Sequence, residues 1–133
     1  MNYQRHKSEE SVEDYLETIL ILSKQKPQVR SIDVATELGY SKPSVSVAMK
    51  NLRQKNYVVV SDEGYLSLTE EGLKLAATIY ERHSVISNWL ISLGVSQEVA
   101  VEDACRMEHD ISEESFSAIK KFLQDSADSS KNL

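Results

Sequence analysis

The chain has 133 residues, 41% apolar and 27% charged, a size and balance that suit one compact unit or a small domain with an extension. It contains no run of 18 apolar residues, so no transmembrane helix is expected. The polar N-terminus MNYQRHKSEES is not expected to serve as a signal peptide, and the single cysteine excludes an internal disulfide framework and fits a reducing, cytoplasmic setting. The net charge of −6 is unevenly spread: residues 24–56 carry seven basic and two acidic side chains, a net +5, against −11 for the remaining 100 residues. A basic segment on an acidic body is an electrostatic footprint for nucleic acid, although a solvated helix surface would carry the same charges.

Four glycines and two prolines point to a mostly helical chain. The first helix is predicted from about Glu9 to Lys24, with Val12, Leu16, Ile19 and Leu20 at helical spacing and Pro27 beyond its end. Ser31 is placed to cap a short helix, Ile32 to Leu38, which Gly39 stops in a left-handed conformation. Ser41 can cap the next helix, which tolerates Pro43 in its first turn and continues through Val45, Ala48, Met49 and Leu52 to about Lys55. A short helix, a glycine-containing turn and a second helix with a polar face form a helix-turn-helix. In YVVVSDEGYLSLT, residues 57–69, two β-rich runs flank the turn Asp62-Glu63-Gly64, which reads as a hairpin wing.

Thr69 can cap a long helix ending near Leu93, with Gly94 as its stop. Ser96 can cap a helix to about Asp110, and Ser112 starts the last one, with Ile111 and Phe116 at staple spacing. The expected fold is therefore mainly α. A winged helix-turn-helix domain is expected over residues 1–70, a helical dimerisation domain over residues 71–125, and a flexible tail over residues 126–133. Two and a half helices cannot bury both sides of their apolar stripe. Ile86, Trp89, Leu90, Phe116, Ile119 and Leu123 are therefore expected to meet their counterparts in a homodimer, and two-fold proteins match palindromic operators.

One cluster carries coordination chemistry. Cys105, Glu108 and His109 lie at i, i+3 and i+4, so a helix projects a thiol, a carboxyl and an imidazole from one face. Those side chains bind first-row divalent ions, yet a lone cysteine is commonly a small buried hydrophobe and a Glu-His pair an exposed patch. Asp14 and Glu17 form a second i, i+3 pair on the first helix, where Asp14 also complements the helix dipole. His83 borders the stripe of Ala76, Ile79 and Tyr80, where a histidine is more often a satisfied core or interface residue than a ligand.

Together, SVEDYLETI, the helix-turn-helix around SKPSVSVAMKNL, the wing, ERH at 81–83 and CRMEHDIS at 105–112 resemble the diphtheria-toxin-repressor family of metal-dependent transcriptional regulators. The resemblance covers residues 8 to 124, and the short length is similar to the manganese-transport-regulator branch, which lacks the SH3-like third domain of the iron branch. It implies metal ligands at Asp14, Glu17, His83, Cys105, Glu108 and His109. Asp14 and Glu17 match the manganese branch. Cys105 stands where that branch typically has Glu, and it resembles the iron branch, which has Cys in the string CRWEH. Ser87 stands where the iron branch has a glutamate of its ancillary site. The donor set is a hybrid: carboxylates favour Mn(II), and a thiolate favours Fe(II), Co(II) or Zn(II). It suits either a pair of ions bridged by carboxylates or one ion with some side chains idle.

The resemblance implies a metal-activated repressor of divalent metal-uptake genes. Ligands from both sequence segments make Mn(II) or Fe(II) a tie between them, fixing two recognition helices about 34 Å apart for a double-stranded operator. Ser41, Lys42, Pro43, Ser44 and Ser46 open the recognition helix and are expected nearest the groove, with Lys50 and Arg53 on phosphates. A different reading is a winged-helix regulator that senses an organic ligand or thiol oxidation at Cys105. An enzyme is not expected, since the chain has no HExxH, nucleophile elbow or phosphate-binding glycine loop.

Overall fold

The computed structural model describes the backbone of residues 7–131 and the side chains of residues 12–127. The elements are α1 (Lys7–Gln25), β1 (Val29–Arg30), α2 (Ser31–Leu38), α3 (Lys42–Gln54), β2 (Val58–Val60), β3 (Tyr65–Leu68), α4 (Glu70–Ser92), α5 (Gln97–Asp110) and α6 (Glu113–Lys131). The chain divides into two compact units between Ile79 and Tyr80, inside α4. That division lies later than residue 70, the boundary expected from the turn signals, because Ala76 is fully buried in the core of the first unit.

In the first unit, Leu16 and Ile19 of α1 are buried with Val34 of α2 and Val45 and Leu52 of α3. The helix-turn-helix has the expected punctuation. Gly39 adopts φ 71° and its N–H donates to Ala35 O at 2.9 Å, while Ser41 Oγ accepts from Ser44 N at 3.3 Å and Pro43 sits in the first turn of α3. The start of α2 differs from expectation. Asp33, not Ser31, serves it: its carboxylate accepts from Arg30 N at 2.8 Å and from Lys26 Nζ at 2.9 Å, since an anion in the first turn also complements the helix dipole.

The wing pairs Val58 with Leu68 and Val60 with Leu66, and Gly64 in its turn has φ 88°. A third strand joins it: β1 pairs Val29 with Leu66 and Arg30 with Tyr65, giving an antiparallel sheet in the order β1-β3-β2. Two residues are too few to register as a β pattern in sequence. Thr69 joins the wing to α4, accepting from Gly72 N at 3.0 Å and donating to Asn56 O at 2.7 Å. A Cβ at Gly72 would collide with the Tyr57 carbonyl, so this junction requires glycine.

The second unit packs the later part of α4 with α5 and α6 around Ile86, Ala104 and Phe116, with Val85, Leu90, Met107 and Ile111 against them. Ile86 and Phe116, expected at a dimer contact, are therefore buried within the chain itself. Ser96 occupies the cap position of α5, but its hydroxyl makes no cap hydrogen bond. Ser112 does cap α6, accepting from Ser115 N at 3.1 Å. The tail expected from Ser126 is helical as far as Lys131, since neither glycine nor proline interrupts the sequence after Glu113. Residues 132–133 lie outside the described residues. Among those described, no helix is long and apolar enough to cross a membrane.

Candidate metal centre and nucleic-acid interface

The last two turns of α5 carry the candidate centre. The i, i+3, i+4 spacing brings donor atoms of Cys105, Glu108 and His109 within 4.8 Å of one another, as one helical face requires. Glu108 is the most enclosed of them, with its side chain fully removed from solvent. His83, from α4, approaches it with Nδ1 3.1 Å from Oε2, and His109 places Nε2 3.6 Å from Oε1. The His109 side chain is 5% exposed and that of His83 23%.

A buried carboxylate is costly to ionise unless positive charge or donors face it. Two imidazoles beside Glu108 meet that need, through a ring N–H or through a cation held jointly. Thiol, carboxylate and imidazole at this separation fit a first-row divalent ion. Ser87, one turn beyond His83, is buried and donates its hydroxyl to Ser84 O at 3.3 Å, a use internal to the helix. The second unit thus brings His83, Cys105, Glu108 and His109 together.

Asp14 and Glu17 lie on α1, in the first unit. Glu17 is 9% exposed, unusually enclosed for an acidic side chain that spacing alone would assign to solvent, and Asp14 is half-buried. Between them in sequence is Tyr15, whose phenol burial pushes upward in pKa, with Tyr40 and then Asp14 adding to the effect.

The candidate nucleic-acid face is on α3. Val45, Met49 and Leu52 turn inward, while Ser41, Lys42, Pro43, Ser44, Ser46, Lys50 and Arg53 are all exposed. Ser46, Lys50 and Arg53 are spaced i, i+4, i+7 and share one side. Ser31 and Ile32 of α2 and Lys42 and Ser46 of α3 line one notch, so the start of α2 borders the start of α3. Arg30, beside that notch in sequence, was not singled out by pattern. Its guanidinium lies 4.4 Å from the centroid of the Tyr65 ring, an arrangement that depends on the β1–β3 pairing.

Residues 8–66 match the iron dependent repressor N-terminal DNA binding domain, and residues 69–131 match the iron dependent repressor metal binding and dimerisation domain. The chain is 39% identical over 115 residues to the transcriptional regulator MntR of Escherichia coli O6:H1, covering 86% of this chain and 74% of that protein. Among solved structures, the metal-dependent transcriptional regulator MtsR superposes with a TM-score of 0.79 at 28% identity, and the manganese regulator SloR with 0.76 at 29%. Both likenesses cover 85% of this chain but only 53% of the solved chain, so this sequence spans about half the length of those proteins. The chain belongs to the iron-dependent, or diphtheria-toxin, repressor family of metal-dependent DNA-binding transcriptional repressors, in its manganese-regulator branch.

Proposed function

We propose that the protein is a homodimeric, cytoplasmic repressor of divalent metal-uptake genes that binds a palindromic duplex operator when Mn(II) or Fe(II) is bound, with Co(II) and Zn(II) as further candidates. The proposed ligands are Asp14, Glu17, His83, Cys105, Glu108 and His109. The observation that carries this reading is the fully enclosed Glu108 carboxylate flanked by His83 and His109, with the Cys105 thiol nearby. A structural pair of this kind would use one imidazole; a thiol and a second imidazole converging on the same carboxylate suit a first-row divalent ion.

Asp14, Glu17, His83, Cys105, Glu108 and His109 would hold the cation, whose positive charge would offset their carboxylates and so would favour one arrangement of the chain over others. Its effect on DNA affinity is limited by its differential affinity for those arrangements, about 1–3 kcal/mol or 5–150-fold in comparable couplings. On the DNA side, residues 1–70 are proposed as the reading domain. Ser41, Lys42, Pro43, Ser44 and Ser46 would face base edges and nearby backbone, and Lys50 and Arg53 would neutralise phosphates. Serine hydroxyls discriminate bases weakly and Pro43 offers apolar contact alone, so shape readout would carry much of the sequence preference. Arg30, held against Tyr65, adds a fourth cation to Lys42, Lys50 and Arg53 on the same unit.

The test is a duplex selected from a random pool with Mn(II) present, then titrated under anaerobic, reducing conditions with Mn(II), Fe(II), Co(II) and Zn(II). Metal-stimulated binding that disappears in Glu108→Ala and His109→Ala supports the centre. Affinity indifferent to all four metals would instead favour an organic effector or oxidation of Cys105.

A further inference from the structure

The proposed ligands Glu108 and His109 lie in the last turn of α5, where helices fray and where main-chain carbonyls have no partner within the helix. A fraying turn could not hold a carboxylate against His83 within a few tenths of an ångström. Something must anchor it, and the residue that does so lies next to His83 on α4. Arg82 Nη1 donates to Glu108 O at 3.0 Å and to Ile111 O at 2.9 Å, and Nη2 donates to Glu113 Oε2 at 3.0 Å. The guanidinium lies 5.3 Å from the centroid of the Phe116 ring, and the side chain is 15% exposed.

Resting on the metal-centre reading above, we propose that Arg82 is a positioning residue of that centre: it locks the backbone of Glu108 while His83 meets the carboxylate of the same residue. Two consecutive positions of α4 thus fix both ends of one ligand. A planar guanidinium suits this task because Nη1 reaches both carbonyls while Nη2 faces Glu113; a lysine ammonium, a point charge on a flexible stem, holds that geometry less well. The contact with Glu113 is separable from the rest. The Glu113 side chain is 73% exposed, and an ion pair open to water contributes little. The bonds to the Glu108 and Ile111 carbonyls, inside the unit, are the ones that bear on the ligands.

Co(II) alone, added to the full-length protein under anaerobic, reducing conditions, provides the test. Its ligand-field bands report coordination geometry, and a thiolate charge-transfer band reports Cys105, both independently of DNA. Arg82→Met is expected to weaken Co(II) binding by about 10–100-fold, the usual cost of losing a group that orients a ligand, and to shift the ligand-field bands. Arg82→Lys should fall between Arg82→Met and the unaltered protein. Glu113→Gln, which removes the exposed ion pair alone, should match the unaltered protein in both affinity and spectrum. Unchanged affinity and bands in Arg82→Lys and Arg82→Met overturn the proposal, as does a Glu113→Gln variant that loses as much as Arg82→Met. If Arg82→Met fails to fold, Arg82→Lys decides alone. Glu108→Ala separates the two levels: loss of Co(II) there with no effect at Arg82 rejects the positioning role alone, whereas Co(II) binding undiminished in Glu108→Ala rejects the centre itself.

Discussion

The two compact units are built on different physics. The first, up to Ile79, buries an aliphatic core from α1, α2, α3, the sheet and the start of α4, and its proposed function is carried by exposed hydroxyl and basic side chains on α3. The second, from Tyr80, has a small core around Ile86, Ala104 and Phe116, and holds its proposed ligands partly or wholly within it, with Glu108 1% exposed. Polar contacts tie it across its helices: Arg82 to two carbonyls of the α5–α6 corner, Lys120 Nζ to Glu81 Oε1 at 2.7 Å, and His83 to Glu108. It also leaves Leu93, Val99, Val101 and Phe122 exposed, Phe122 at 67%, in the segment that matches a dimerisation domain. The lesson is that a reading surface can be mounted on a self-sufficient core, whereas a metal sensor must keep ionisable groups in its interior and accept a weaker one.

Mutations in the two units should therefore fail in different ways. Leu16→Ala, in the first core, should cost about 2–5 kcal/mol of stability and lower the melting temperature. DNA binding with and without metal should fall together, and selective loss of the metal response would break the contrast. Glu108→Ala and His109→Ala should do the reverse. The fold and the dimer persist by circular dichroism and sedimentation, while the metal-stimulated gain in DNA affinity, about 5–150-fold, disappears. Cys105→Glu should shift the metal ranking toward Mn(II) in the same titration by removing the soft donor; an unchanged ranking would take Cys105 out of the ligand set.

Smaller effects sharpen the first unit. Lys50→Ala should weaken binding to all duplexes alike and flatten the slope of log affinity against log salt by about one, and an unaltered slope would move Lys50 off the phosphates. Asp33 provides the smallest signal. Bonds from Lys26 and from the Arg30 N–H hold its carboxyl below the usual carboxylate range. A depressed pKa gives stability that is present in full above about pH 4 and lost as pH falls through the lower folded value. Asp33→Asn should therefore cost on the order of 0.5 kcal/mol near neutrality, and the difference from the unaltered protein should narrow in acid. A constant difference down to low pH would assign the effect to geometry rather than charge.

Much of this was legible in the chain itself because local signals repeat at short range. Gly39, Ser41 and Pro43 act within four residues of where they stand, as does Thr69 in capping α4, and each plays its expected part in the structure. The spacing of Cys105, Glu108 and His109 was readable for the same reason: helical periodicity alone puts them on one face. What failed to register depended on distant partners. β1 exists because Leu66 and Tyr65 lie beside it, Asp33 displaced Ser31 as the group serving α2 with help from Lys26, and Ile86 and Phe116 turned out to face each other's helices.

The sequence by itself determined the order of the helices, the exposed face of α3 and the chemical identity of the donors, since these follow from residue type and a period of 3.6. Only the tertiary structure decided that His83 meets the Glu108 carboxylate, that Arg82 takes the Glu108 and Ile111 carbonyls, and that Arg30 rests on Tyr65. Pairings across 25 or more residues are set by how helices and strands pack, and the identity of the partner face leaves no periodic mark in the sequence.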